Sequence, residues 1–335
     1  MQTAAPASRR LGRAGPAVFP IALGAMGMSK MYGASDDRES LATLHAALDR
    51  GINLIDTGDF YGSGHNEALI GRALAGRRER AVLSVKFGAL RDPAGGWTGV
   101  DNRPVAIRNY LAYTLHRLGL DHVDIYRPAR LDPAVPIEDV AGTIGDLVKQ
   151  GYVRHLGLSE VGVDTIRRAH AVHPVADVQI EYSLVSRGPE AIILPTLREL
   201  GIGLTAYGVL SRGLLSGSKP TGPTDFRAYL PRFSGENLAR NQRLVDALAA
   251  AARARGATPS QLAIAWVLSR SADIVPVIGA RTTRQLDDAL GALALDLTPA
   301  DLAAIEATVP PEAVAGTRYD PHQMAILDSE RAVAR

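Results

Sequence analysis

Gly51-Ile-Asn-Leu-Ile-Asp56-Thr-Gly-Asp-Phe-Tyr61-Gly-Ser-Gly-His65-Asn-Glu67 reads as a strand, a glycine-punctuated loop and the start of a helix. Asn53–Asp59 is a short apolar run of the length expected for a strand covered on both faces. Gly62 and Gly64 interrupt it, and His65–Ala75 then carries a helical pattern that stops at Gly76, a residue suited to the left-handed position after a helix. The same unit recurs on either side. Ile21–Met26, Val82–Gly88, Val123–Arg130, Val153–Glu160, Asp177–Ser183, Gly203–Leu210 and Ile274–Ala280 predict seven further strands. Helical patterns lie between them at Asp37–Arg50, Pro104–Leu118, Pro136–Gln150, Pro189–Leu200 and Asn237–Arg255, each followed by a glycine. Thr258-Pro-Ser-Gln opens another helix through Ser269, and Thr298-Pro-Ala-Asp opens a last one with capping-box chemistry.

Strands alternating with helices, without a break in composition, predict an α/β fold of the (β/α)8 TIM-barrel type. A short N-terminal segment is expected to close the barrel bottom, with an extra helix at the C-terminal end. One domain covers 1–335, with 1–10 and about 316–335 as peripheral tails. A doubly wound sheet would show G-x-G-x-x-G after its first strand, and Gly24-Ala-Met-Gly-Met does not match it. Residues 211–236 read as a long loop after the seventh strand, of a length that is often functional.

Composition excludes several classes. The 37 basic and 35 acidic residues nearly cancel, with no long run of one sign, so neither nucleic acid nor a membrane surface is implied as partner. The chain has no cysteine, which rules out disulfides, thiolate metal sites and a cysteine nucleophile. No apolar run reaches the ~18 residues that span a bilayer, and the cytoplasm is the default location. His116, His155, His170 and His173 lack ligand-like partners, so no metal is expected, and His65 reads as a cap or rim residue.

The chemistry of a barrel gathers at the C-terminal ends of its strands. Asp56 ends the second strand, Lys86 ends the third, and Tyr61 begins the loop above them. An unperturbed phenol has a pKa of ~10 and is a poor acid. A nearby ammonium is expected to lower that value, with Asp56 holding Lys86 charged, so that Tyr61 can protonate a carbonyl oxygen.

The chain resembles the aldo-keto reductase superfamily from about Leu11 to Thr308. The Gly51–Glu67 segment, Val85-Lys86, Gly157-Leu-Ser-Glu160, Gln179-Ile-Glu-Tyr-Ser183, Ala206-Tyr-Gly-Val-Leu-Ser-Arg-Gly213 and Pro276-Val-Ile-Gly-Ala-Arg281 carry the resemblance, in the family's order. It implies NADPH/NADP+ as cofactor, a small-molecule carbonyl substrate, and Asp56, Tyr61 and Lys86 as catalytic residues. Ser159 and Gln179 are then expected to hold the nicotinamide carboxamide and Tyr207 to stack on its ring. The turn Gly208, Val209, Leu210, Ser211, Arg212 and Gly213 would meet the pyrophosphate. Ala25, Met26, Asp56 and Gly279 complete the cofactor groove, and Arg281, Gln285 and Asp288 lie at the adenosine end. An arginine there favours a 2′-phosphate. Arg227 and Lys219 are placed over the pyrophosphate, and Glu160 stands where many members have Asn, still able to accept from the amide.

One position departs from the family pattern. The histidine expected on the fourth strand is Ala129 in Val123-Asp-Ile-Tyr-Arg-Pro-Ala129. Arg127 shares its face by strand alternation, and Arg127 or a water in the space left by the missing ring is expected to supply the missing hydrogen bond. The substrate pocket is expected to include Met28, Tyr32, Trp97, Arg127 and Ala129, with Met26, Met31 and Phe60, under a C-terminal flap at Gly316–Met324. The resemblance implies reduction of an aldehyde or ketone. The alternative is a nicotinamide-binding regulatory protein with little turnover, like the channel-associated β subunits of the superfamily.

Overall fold

The computed structural model describes residues 6–222 and 225–331. All eight anticipated strands are present: β1 (Ala22–Gly24), β2 (Leu54–Gly58), β3 (Val82–Phe87), β4 (Val123–Pro128), β5 (Val153–Ser159), β6 (Val175–Glu181), β7 (Gly203–Tyr207) and β8 (Ile274–Gly279). They pair in parallel with their sequence neighbours, and β8 pairs with β1 to close the barrel. Parallel strands need helical crossovers, and the helices cover the outside. These are α1 (Asp37–Asp49), α2 (His65–Leu74), α3 (Pro104–Leu118), α4 (Ile137–Lys149), α5 (Val163–Val172), α6 (Ile193–Leu200), α7 (Gly235–Arg253), α8 (Pro259–Arg270) and α9 (Thr283–Leu290). Two more, α10 (Pro299–Thr308) and the short α11 (Pro321–Ala325), follow the barrel.

Local chemistry fixes the helix ends. Thr258 and Thr298 form capping boxes with Gln261 and Asp301, satisfying amides that a helix start leaves unpaired. Gly119 and Gly201 close α3 and α6 at φ of 66° and 70°, a region costly for any residue with a Cβ.

The floor of the barrel is an antiparallel hairpin, Arg9–Arg10 against Ala17–Val18. Leu11 and Val18 join Ala22, Leu54, Ile125, Val275 and Val277 in an apolar cluster beneath the strands. The Arg9 guanidinium donates to the carbonyls of Leu268, Ser271 and Ile274 at 2.5–2.9 Å, and the Arg13 amide to Gly201 O at 2.7 Å. A Cβ on Gly203 would stand 2.7 Å from Gly12 N, so the hairpin reaches the floor only because β7 begins with glycine. Arg9 and Arg10 therefore belong to the floor rather than to a tail, and residues 1–5 lie outside the described residues.

Other expectations need correcting. Helices α5 and α9 had no predicted counterpart, and the glycine-rich loop after β3 is a hairpin, Ala89–Arg91 with Trp97–Val100. The stretch 211–236 holds short 3-10 turns at Ser211–Ser216, Phe226–Tyr229 and Pro231–Phe233 before α7 begins. Residues 316–331 are no peripheral tail. They fold back over the open end of the barrel, burying Arg318, Tyr319, Leu327 and Asp328.

Candidate active site

A cavity of about 1180 Å³ opens above the C-terminal ends of the strands. At its base Lys86 Nζ donates to Asp56 Oδ2. The other carboxylate oxygen accepts from Ser84 Oγ and from Gln179 Nε2, both at 2.9 Å. Neighbouring strands supply these groups in register, with Asp56 opposite Ser84 and Gly58 opposite Lys86. Tyr61 is carried by a turn whose next three residues, Gly62, Ser63 and Gly64, all have positive φ (58°, 51° and 95°). That winding turns the phenol back over the pair. Its ring packs edge-on against Phe60 at 4.8 Å, and the ammonium lies 5.2 Å from its centroid.

The electrostatics differ from the expected tuning. Burial pushes the Tyr61 phenol well above its ordinary value, and the Asp56 charge pushes it the same way. Burial also lowers the Lys86 ammonium, against which Asp56 acts by charge and hydrogen bond. Lys86 spends its hydrogen bond on Asp56 and meets the phenol from the ring side, and its charge does not outweigh burial and the Asp56 charge at Tyr61. Tyr61 is held as a protonated phenol.

One wall carries most of the residues anticipated for a dinucleotide. Met26, Asp56, Ser159, Gln179, Tyr207, Gly208, Val209, Leu210, Arg212, Gly213, Gly279, Arg281, Gln285 and Asp288 all line the cavity. The 208–213 turn needs its glycines: a Cβ at Gly208 would lie 2.9 Å from Glu181 Cγ, and one at Gly213 2.9 Å from Ser218 Cβ. Arg281 is fixed by the carbonyls of Tyr32 and Ala34, Gln285 accepts from the Arg281 amide at 2.8 Å, and Asp288 accepts from Thr258 Oγ1 at 2.9 Å. Arg227 reaches the cavity, clamped by Asp225, whereas the Lys219 side chain is exposed away from it and offers Arg227 only its carbonyl.

Two residues expected on this wall are absent from it. Ala25 is fully buried beneath it, its amide donating to Asp56 O and its carbonyl accepting from Asn66 Nδ2. Ser211 is also fully buried, and its hydroxyl accepts from Arg232.

Glu160 does not face a ligand. Its carboxylate takes both Arg318 Nη atoms at 2.7 and 2.6 Å, Tyr207 OH at 2.7 Å, Ser329 Oγ at 2.6 Å and the Glu181 amide at 3.1 Å. Burial alone would raise its pKa; Arg318, by charge and hydrogen bond, outweighs that and holds it at about 2. Expected to accept from an amide, this carboxylate is instead the latch of the C-terminal segment. That segment places Tyr319 in the cavity, its hydroxyl 3.0 Å from Tyr207 OH and accepting from Arg130 Nη2 at 3.2 Å. Arg130, Arg318 and Tyr319 were not among the anticipated site residues; the sequence signal for Arg318 and Tyr319 was the proposed flap at 316–324, and for Arg130 its place at the end of the predicted fourth strand.

Of the anticipated substrate pocket, Tyr32, Trp97 and Ala129 line the cavity with Met31 and Phe60, joined by Arg91 and Arg130. Met28 is instead sealed in the hydrophobic core. Arg127 is not in the pocket either. It is 0% exposed and bonds Asp177 through both Nη atoms at 3.0 Å, with Ser84 Oγ and Leu158 O as further acceptors. Strand alternation places 127 and 129 on one face, but the guanidinium of Arg127 turns into the barrel interior. His65 is a rim residue, bridging Ser29 and Asp37.

Comparison with known proteins agrees with this geometry. The model of the Aldo/keto reductase family matches residues 20–310. Probable aldo-keto reductase 1 of Glycine max is 39% identical over 319 residues, covering 92% of this chain and 91% of that protein. A glycerol dehydrogenase from Gluconobacter oxydans superimposes with a TM-score of 0.82 at 28% identity, over 92% of this chain and 97% of that one. An aldo/keto reductase from Klebsiella pneumoniae, solved with NADP and acetate, gives 0.73 at 25% identity over 94% and 99%.

Proposed function

The chain belongs to the aldo/keto reductase family, and we propose that it is an NADPH-dependent reductase of aldehydes or ketones with Tyr61 as its proton donor. The observation that carries this reading is the buried Asp56–Lys86 pair directly beneath a protonated Tyr61 at the cavity base. A protein that only senses a nicotinamide has no use for that trio, which argues against a purely regulatory role.

The cavity fits the cofactor. Its volume of about 1180 Å³ exceeds the ~300–1,000 Å³ common for ligand sites, leaving room for a dinucleotide beside a small substrate. Ser159 and Gln179 would hold the carboxamide, Tyr207 the ring face and the 208–213 turn the pyrophosphate. Arg281 and the neighbouring Arg284 would take the 2′-phosphate, for which guanidinium groups are well matched. The bound nicotinamide supplies the hydride that reaches the carbonyl carbon.

The protein's own part is the proton. Tyr61 keeps its proton at neutral pH because burial disfavours the phenolate. It hydrogen-bonds the substrate oxygen and releases the proton only as negative charge develops there. The Lys86 charge, 5.2 Å from the ring, then stabilises the phenolate left behind. Asp56 keeps that ammonium charged against its own burial.

NADPH oxidation with a panel of aldehydes tests the assignment. Tyr61→Phe is expected to lower kcat by about 10²–10⁴-fold, the usual contribution of a general acid, while NADPH binding read by fluorescence persists. A rate unaffected by the change would falsify the acid assignment.

A further inference from the structure

Three cations lining the cavity have a carboxylate partner, while Arg281 and Arg284 at the adenosine end have no ion pair among the described residues. Lys86 has Asp56, Arg212 has Glu181 at 3.1 Å and Arg227 has Asp225 at 2.7 Å. On the substrate side, Arg91 and Arg130 have none among the described residues. Arg91 lies over the rings of Phe60 and Trp97, at 5.9 and 5.5 Å, and its guanidinium donates to Gly95 O at 3.1 Å. Arg130 lies 5.7 Å from the Tyr319 centroid and donates to Ala129 O at 2.7 Å and to Tyr319 OH at 3.2 Å. Both are half-buried, and both stand close enough to Tyr61 to interact with its charge. Asp320, the carboxylate that the C-terminal segment brings to the cavity, is turned onto the Gln323 amide.

Withdrawing a guanidinium from water without a carboxylate in contact is costly, and these two are withdrawn near the proton donor, with only the more distant charges of Asp92 and Glu160 acting on them. Their neighbours Phe60, Trp97, Tyr319 and Ala129 form walls that concentrate the positive field in the space between. Ala129 puts only a methyl group into that space, and Arg130, which lines the same cavity, keeps donors to spare.

Building on the reductase reading, we propose that the substrate carries an anionic group, a carboxylate or a phosphate, a few bonds from its carbonyl. Arg130 grips that group while Tyr61 protonates the carbonyl oxygen, and Arg91 draws the anion in from the rim. The preferred substrate class is therefore small oxo-acids or phosphorylated aldehydes, with room for an aromatic or apolar body against Phe60 and Trp97.

Matched pairs of aldehydes test this: carboxybenzaldehyde against benzaldehyde for the carboxylate, and phosphorylated against free glyceraldehyde for the phosphate. The wild-type kcat/KM is expected to favour the charged member of at least one pair by about tenfold or more, the effect of one charge-assisted hydrogen-bonding contact. Arg130→Gln should remove most of that ratio, and Arg130→Lys should restore part of it. Calorimetric titration of the NADP-loaded protein with benzoate and with inorganic phosphate reads the same site without turnover, and Arg130→Gln should weaken the tighter of the two. A wild-type ratio near one for both pairs, or a ratio that survives Arg130→Gln, overturns the anion site and leaves the reductase reading standing. Anion binding that depends on Arg130, with no aldehyde reduced, upholds the site and overturns the reductase.

Discussion

Two ion pairs inside the barrel start from the same place and serve different ends. Lys86 and Arg127 are direct neighbours across β3 and β4. Lys86 turns to Asp56 on β2, where both side chains keep a small exposure to the cavity, 6% and 7%. Arg127 turns the other way around the barrel, to Asp177 on β6, and both side chains of that pair are 0% exposed. A charge in an apolar strand thus marks chemistry in one case and architecture in the other. What separates them is whether the pair touches the space a substrate can enter.

The contrast breaks if the two cations respond alike to removal. Arg127→Met leaves Asp177 buried and unpaired, and is expected to cost about 3–5 kcal/mol of stability, read as a fall in the denaturation midpoint. Adding Asp177→Leu should recover most of it, and the refolded double variant should still turn over. Lys86→Met should instead lower kcat by about 10²-fold or more, with a smaller loss of stability, because Ser84 and Gln179 still donate to Asp56. Equal melting losses, or a folded Arg127→Met protein without turnover, would erase the distinction.

A single glycine sharpens it. A Cβ on Gly157 would stand 2.8 Å from Ile125 Cγ2 and 3.1 Å from both Arg127 Cζ and Asp177 Oδ1. The inner pair exists because β5 gives up a side chain there. Gly157→Ala is expected to destabilise by about 1–3 kcal/mol through overpacking. A chemical denaturation curve superimposable on wild type would show that the barrel interior has slack.

The last effect is one of pH and concerns the latch. The folded-state value of Glu160, about 2, lies below its ordinary value of 4.5. The unfolded chain therefore binds the extra proton first, and the stabilisation is complete above pH ~4.5 and is lost as pH falls towards 2. Denaturation midpoints followed over that window should fall more steeply in the wild type than in Glu160→Gln. Parallel curves would mean that Arg318 is not what holds the carboxylate ionised.

The barrel was legible in the sequence because each strand is a short, nearly continuous apolar run ended by glycine or charge. The cavity base was legible because Asp56 and Tyr61 fall in one segment and Lys86 ends the next strand. Depth was not. Alternation assigns Arg127 and Ala129 to one face, but cannot say that a long guanidinium bends inward to an acid fifty residues on. Helix α5, short and bounded by Gly162 and His173, offered too little periodicity to be seen. Glu160 looked like a ligand-facing group because its partner, Arg318, lies 158 residues away in what read as a loose end. Burial then reversed the expected direction of the Tyr61 shift, a quantity that spacing along a chain does not encode.

The roof of the cavity has a consequence for how the protein is made. During synthesis the eighth strand and its closure against β1 are available once residue 279 has emerged, but Arg318, Tyr319 and Ser329 follow much later. Without those residues Glu160 would be unlatched and Tyr207 would lose the Tyr319 hydroxyl. The roof therefore depends on residues that follow the barrel-closing strand, and a chain cut short before Arg318 would keep the cavity's base and lack its ceiling.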